Sequence, residues 1–407
     1  MKKRDLSLSA LLFFAYSALS SCNTYFLSLF FDNSLGFSGE KIGLIFSVRS
    51  VVTFLSGYPS GYLAGRLSTS WLFRLAFLVQ GVSIFFLSGT SSISQVFWAY
   101  LPYVIASELT GVLFDALFMS QAGCRQRNSS QIILMFQSAK FFGLGAGTLL
   151  AGYALDTYKF TGLFWLLAAG FMLLSFCVRK GMTLVHRADD IVAQTRAHLQ
   201  SGAEVHSALA LTFLSFAIAL HWGAEVTILP LFLQKQLGFS HSAVGWYFGL
   251  EVFSLGITTL VLTLARADVA RKSAGLIAVL LSIFGTLGTA VPISWLSLLC
   301  RAIHGIGDAM LFGYLFGQLS RLTVGRNPAK LTGAFHAVTM MALACGSVLS
   351  PWAASEVGVS WAIALSGLAM VPALVMFRAR QGGLALHLYG KERFCSENQN
   401  HRLGVVV

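Results

Sequence analysis

The chain has 407 residues, of which 56% are hydrophobic, 13% aromatic and only 11% charged. A water-soluble domain carries roughly 25% charged residues, so most of a surface this size has to face lipid. The net charge of +12 would point to a nucleic-acid partner if the basic residues formed a patch. They sit instead in short segments between apolar runs, which is a topology signal. The six cysteines (Cys22, Cys124, Cys177, Cys300, Cys345, Cys395) show no metal spacing. Four of them lie in or beside apolar runs, where a thiol behaves as a small hydrophobe. No disulfide framework, metal or cofactor is expected.

Apolar windows of about 20 residues mark membrane spans. Spans 1 to 6 fall at 6–31, 42–64, 71–88, 96–120, 131–153 and 161–178. Spans 7 to 12 follow at 207–233, 242–265, 273–292, 295–320, 331–354 and 360–377. Lys2–Arg4 followed by an apolar stretch ending at Leu19–Cys22 has the look of a lipoprotein signal. The apolar run continues past Cys22 to Phe31, so an uncleaved first helix is the better reading. The one long internal polar segment, 179–206, holds Arg179, Lys180, Arg187, Asp189, Asp190, Arg196 and Glu204. The expected organisation is an all-α polytopic membrane protein of twelve transmembrane helices. It divides into a six-helix bundle (1–178), a cytoplasmic linker (179–206), a second six-helix bundle (207–377) and a cytoplasmic tail (378–407).

Orientation follows from Lys and Arg, which stay in cytoplasmic loops. Of the 28 such residues, only Lys41, Lys159 and Lys235 lie in loops opposite the N-terminus, and Arg49, Lys140 and Arg301 lie within spans. Both termini are therefore expected in the cytoplasm, with the chain in the inner membrane. The two halves also repeat. Leu27–Phe31, Leu35-Gly36-Phe37-Ser38 and Gly43 match Leu229–Leu233, Leu237-Gly238-Phe239-Ser240 and Gly245, each at an offset of 202 residues. Span 1 into span 2 thus corresponds to span 7 into span 8, and duplicated six-helix halves are a transporter architecture.

Over essentially its whole length the chain resembles the major facilitator superfamily. That family's loop between helices 2 and 3 reads Gly-x-x-x-Asp-Arg-x-Gly followed by a basic pair. Here Gly61 and Arg66 match, while Gly65 stands at the acidic position and Thr69-Ser70 replace the basic pair. The equivalent loop around Arg266-Ala267-Asp268 and Arg271-Lys272 is also degenerate. By resemblance Gly61 and Arg66 belong to a gate, and spans 3, 6, 9 and 12 are outer supports. Arg301, His304 and Asp308 in span 10, with Glu251 in span 8, are similar to the charged pattern of the lactose permease-like proton symporters, with the acid one residue late.

Charges inside a bilayer cost at least ~2.5–3.5 kcal/mol on insertion scales and so face cavities. The charged residues within spans are Arg49, Glu108, Asp115, Lys140, Glu225, Glu251, Arg301 and Asp308, joined by His221, His304 and His336. Glu108 and Asp115 share a helix face; so do Arg301, His304 and Asp308, and so do His221 and Glu225. Under the repeat, Asn23 corresponds to Glu225 and Arg49 to Glu251. Asn23, Arg49, Glu108, Lys140, His221, Trp222 and Arg301 are candidate solute or cavity residues, although Arg49 also reads as structural and His336 as a packing histidine. Trp222 is placed equally well to stack on a ring-shaped solute or to pack. Asp115 is a gate residue or solvated. Lys140 is expected to neutralise Glu108 or Asp115, and Arg301 to pair with Glu225 or Glu251.

Acids outnumber bases in this set, and desolvation with mutual repulsion favours protons on part of such an excess. Glu225, Glu251, His304 and Asp308 are therefore the candidate proton carriers. The expected function is proton-coupled transport, by alternating access, of a small polar or anionic solute by a monomer, without nucleic acid. An efflux pump for amphipathic compounds is the alternative, and a membrane enzyme or non-transporting sensor is the alternative of another class. No nucleotide loop or nucleophile elbow supports an enzyme. A reporter fused after Arg380 is expected to read cytoplasmic, and one inserted between Thr90 and Ser91 external. Opposite signals at both sites would reverse the orientation.

Overall fold

A computed structural model of the chain describes residues 3–123, 129–178, 202–265, 267, 271–322 and 328–374. The linker positions 179–201, the tail 378–407 and the loop residues Arg266 and Asp268 lie outside the described residues. Span 1 is Lys3–Tyr25 continued by Leu27–Asn33; spans 2, 3 and 4 are Gly39–Arg66, Thr69–Leu87 and Ile93–Gly123. Spans 5 and 6 form one helix, Ser129–Cys177, broken at Lys159 (φ 57°, ψ −178°) where the sequence places a loop. Span 7 is Gly202–Thr227 continued by Leu229–Lys235, and spans 8 to 11 are His241–Leu264, Lys272–Thr289, Ser294–Leu322 and Pro328–Val357. Span 12 begins with Val359–Leu368. Among the described residues ten helices are long and apolar enough to cross a membrane, one of them the 44-residue Leu134–Cys177, and Val359–Leu374 is a shorter apolar helix. Counting the two arms about Lys159 separately, this agrees with twelve passes.

The repeat read from the sequence is also a repeat of backbone geometry. Span 1 breaks at Phe26 (φ −109°, ψ −10°) and span 7 at Ile228 (φ −106°, ψ −25°), again 202 residues on. Each then ends at a left-handed glycine, Gly36 (φ 63°) and Gly238 (φ 69°). The next amide reaches back six residues, Phe37 N to Phe31 O at 2.9 Å and Phe239 N to Leu233 O at 3.0 Å. This helix stop needs positive φ, which glycine adopts without a Cβ penalty. Ser38 and Ser240 then cap the following helices, accepting from Lys41 N and Ala243 N.

Large apolar side chains face outward on spans 3, 6, 9 and 12, among them Phe86, Phe176, Phe284 and Trp361. Such a surface suits lipid and not water. The two halves of the chain meet through spans 1, 2 and 5 on one side and spans 7, 8 and 11 on the other. Span 5 presents Gly143 and Gly147 to the main chain of span 1 at Phe14 and Ala18, and Gly145 to Phe253 of span 8. Close helix packing is thus the use of the three glycines, as the sequence reading had it.

The helix ends near the span 1–2 turn are drawn together across the halves. Lys235 Nζ lies 2.7 Å from Asp32 Oδ1, and Asn33 Nδ2 donates to Gln234 Oε1 at 2.9 Å. Asp156 accepts from the main-chain N–H of Ser242 and faces His241 Nδ1, both at 3.0 Å. A Cβ on Gly152 would lie 2.6 Å from His241 O, so spans 5 and 8 can approach this closely only without one. This end is shut. Cysteines replacing Asp32 and Lys235 are therefore expected to cross-link on oxidation and stop transport, with activity returning on reduction. Failure to cross-link in the resting protein would show that this end stands open.

Candidate functional site

Span 10 turns Arg301, His304 and Asp308 to one side, as the i, i+3, i+7 spacing predicts. Spans 7 and 8 bring Glu225 and Glu251 against them. Arg301 is fully buried, at 1% exposure. Its Nη1 contacts Glu225 Oε1, and its Nη2 lies 2.5 Å from Glu251 Oε2. The guanidinium stands over the ring of Phe248 at 5.3 Å from the centroid and near Tyr247 at 6.0 Å. The expected choice between the two glutamates does not arise, because Arg301 takes both.

Two histidines complete the cluster, and their neighbours fix where their protons lie. His304 Nδ1 faces Ser282 O at 3.1 Å, Ser282 Oγ at 3.2 Å and Thr286 Oγ1 at 3.3 Å. The Ser282 hydroxyl gives its proton to Asp308 Oδ1 (2.7 Å) and the Thr286 hydroxyl to Ser282 O (2.9 Å). All three neighbours are thus acceptors, so Nδ1 carries a hydrogen. The other nitrogen, Nε2, lies 3.1 Å from Glu225 Oε1 and 3.5 Å from Asp308 Oδ2. His221 stands beside it: its Nδ1 meets Ser366 Oγ at 2.9 Å, whose own proton goes to Ile363 O, and its Nε2 lies 3.1 Å from the same Glu225 oxygen and 3.2 Å from Thr286 Oγ1.

Both histidines thus turn Nε2 to the same Glu225 oxygen. Arg301 faces three acids, Glu225 and Glu251 directly and Asp308 across His304, so the buried cluster has more carboxyl groups than guanidinium to balance them. By spacing alone, His221, Glu225 and His304, or Glu251, His304 and Asp308, could hold a metal ion. The arginine already lies on the glutamate oxygens that such an ion would need, so the donor set does not fit one.

Trp222 donates to Asp308 Oδ2 at 3.2 Å and stacks on Phe312 at 5.3 Å. Its indole is therefore engaged by the protein. The sequence reading missed Ser282, Thr286 and Ser366, which come from spans 9 and 12, where no charge marks a cavity face. The i, i+4 pairing of Ser282 with Thr286 was the only available signal.

The remaining candidates are spread more widely. Arg49 Nη1 donates to the main-chain oxygen of Asn23 at 3.4 Å, so these two are neighbours in the first half. Glu108 is buried and lies 3.1 Å from Nε2 of His336, whose side chain is 42% exposed. Lys140 was expected to neutralise Glu108 or Asp115. It is half-buried, stands 5.9 Å from the Phe141 ring centroid, and has no carboxylate within 4.0 Å among the described residues. Helix rotation turns Glu108 towards span 11 and His336, and of the two acids offered to Lys140 it is Asp115 whose charge acts on it. Asp115 is exposed. Gly61 and Arg66 are exposed as well, and the Arg66 guanidinium lies 4.3 Å from the Tyr62 ring centroid. Nothing described around them forms a lock.

The Major Facilitator Superfamily family model matches residues 211–388. A search of curated protein sequences gave no match. Among solved structures, the chain is similar to a proton dependent oligopeptide transporter, with a TM-score of 0.72, 14% identity, and coverage of 93% of this chain and 98% of that one. It is also similar to a variant of the nucleoside transporter NupG, with a TM-score of 0.67, 15% identity, and 92% and 99% covered. The human organic anion transporter MFSD10 (TETRAN) gives a TM-score of 0.63 at 16% identity, with 91% and 97% covered. At these identities the likeness is one of fold, and it spans both halves of the chain. The family pattern thus lies in the second half, the likeness of fold spans both halves, and the chain is a multi-pass membrane protein with the fold of major facilitator transporters.

Proposed function

We propose that the protein is a proton-coupled secondary transporter of a small polar or anionic solute, working by alternating access between the halves 1–178 and 207–377. Both termini lie on the cytoplasmic side of the inner membrane, so the shut end described above is the external one. The observation that carries this reading is the buried excess of carboxyl groups around Arg301, with two histidines facing the same Glu225 oxygen. A net negative charge there lies in a region of low dielectric, which is unfavourable unless a proton, water or a solute reaches it. Proton release is thereby tied to the half-cycle in which the cavity is open to water. Solute release is tied to the same step, because a proton on Glu225 or Glu251 loosens Arg301 for the solute and its loss restores the pair. The proton dependent oligopeptide transporter among the structural neighbours is in keeping with this coupling.

The test uses purified protein in proteoliposomes with an imposed pH gradient. Glu225→Gln and Glu251→Gln are expected to exchange solute across the membrane yet fail to concentrate it. Accumulation at the wild-type ratio in both variants would remove the glutamates from the coupling path. Arg301→Gln is expected to behave differently, because it strands two buried carboxylates. Breaking a buried pair costs about 3–5 kcal/mol, so its unfolding midpoint in detergent should fall well below wild type. Adding Glu251→Gln should recover part of that fall.

A further inference from the structure

The repeat places a second constellation in the first half, at the positions that hold the proton cluster in the second. Asn23 stands where Glu225 does, and Arg49 where Glu251 does, each 202 residues earlier. Arg49 and Glu251 both lie ten residues into their helices. At 1.5 Å per residue that is roughly 15 Å, half of a hydrocarbon core about 30 Å thick. The two constellations are therefore level, near the middle of the membrane, where solute sites of such repeats lie.

The chemistry of the first-half constellation is the inverse of its counterpart. Arg301 is enclosed by acids. Arg49, half-buried, has no carboxylate within 4.0 Å among the described residues, and one main-chain oxygen at 3.4 Å is its hydrogen-bond acceptor. Tyr100 lies beside the guanidinium and Tyr103 beside Asn23. Asn23 and Tyr100 are each 1% exposed, and Asn23 Nδ2, Asn23 Oδ1 and the Tyr100 hydroxyl have no hydrogen-bond partner among the described residues. Buried polar atoms are seldom left unmet, and a membrane-embedded arginine without a counterion is costlier still. Tyr100 faces Arg49 itself and Asn23 faces Tyr103, so what points to a ligand is the cation with no acid beside it and polar neighbours that meet it only in part.

The donors and acceptors say which ligand. Arg49 has free N–H groups in a planar fork, Asn23 offers an amide N–H, and Tyr100 offers a hydroxyl; all three suit the two oxygens of a carboxylate. Asn23 Oδ1 accepts only, and asks for a donor on the ligand beside that carboxylate. We propose that Arg49, Asn23 and Tyr100 form a carboxylate-binding subsite, whose ligand is an organic acid bearing a hydroxyl or N–H next to its acid group. This deepens the proton-coupled transport reading and rests on it: the first half holds the solute's charge and the second half carries the proton. The two are adjacent. Tyr25, two residues after Asn23, stacks at 4.5 Å on Phe248, the ring that lies against Arg301.

The experiment is direct binding to the purified full chain in detergent, without any gradient, followed by ligand-observed NMR. The probes are lactate, propionate, lactamide and chloride. Lactate is expected to bind, propionate more weakly, and lactamide not at all. Arg49→Gln should weaken lactate roughly a hundredfold, and Tyr100→Phe and Asn23→Ala about ten- to a hundredfold, the range for hydrogen bonds to a charged group. Arg49→Lys, which keeps the charge, guards against misfolding and should retain part of the affinity. No lactate binding to wild type, equal binding of lactamide, wild-type affinity in Arg49→Gln, or competition showing a chloride site only would each overturn the subsite. Loss of coupling is read separately, in proteoliposomes of Glu225→Gln. If acid binding persists in detergent while pH-driven accumulation is absent from wild type, the transport reading fails and the subsite stands.

Discussion

A guanidinium in the middle of a bilayer has to be neutralised where it stands, since neither water nor a distant counterion can do it. Arg301 is in that position, and the second half is arranged around the need. Glu225 and Glu251 approach from two neighbouring helices, Phe248 and Tyr247 close off the surrounding space, and Ser282 holds the Asp308 carboxylate in place. Two glutamates and an aspartate exceed what one arginine requires, and two histidines stand against the surplus. Charge balance in a low-dielectric setting then favours protons within the site. That is what makes the cluster suited to exchanging them.

The same backbone was used twice with opposite chemistry. Helix breaks at Phe26 and Ile228, left-handed glycines at Gly36 and Gly238, and serine caps at Ser38 and Ser240 fall in register. Those features depend on backbone conformation, which tolerates few substitutes. Side chains at mid-membrane are not bound by that constraint. One half holds Asn23 and Arg49 where the other holds Glu225 and Glu251, so Arg49 and Glu251 carry opposite charge at equal depth. Cross-half contacts at the tips, Asp32 with Lys235 and Asp156 with His241, join acidic to basic side chains where the halves meet.

Much of the candidate site was legible before the fold. A charge inside an apolar run is conspicuous, and helical spacing put Arg301, His304 and Asp308 on one face and His221 with Glu225 on another. The degenerate loop at Gly61 and Arg66 was visible as a departure from the family pattern, and both residues stand exposed. Less legible were partners that carry no charge. Ser282, Thr286 and Ser366 sit in spans that look uniformly apolar, yet they decide which histidine nitrogen bears a hydrogen.

The sequence by itself determined the membrane character, the span positions, the repeat and the depth of each charge, because hydropathy and helical rise act locally along the chain. Only the tertiary structure decided who meets whom. By residue counting Lys140 lies between Glu108 and Asp115 in depth, but helix rotation turns the glutamate to His336 and leaves the lysine to the aspartate's charge. Arg301 was within reach of either glutamate and takes both. Depth is a one-dimensional property that a sequence carries. Pairing depends on how each helix is rotated and tilted against its neighbours, and that is set by packing among residues hundreds of positions apart.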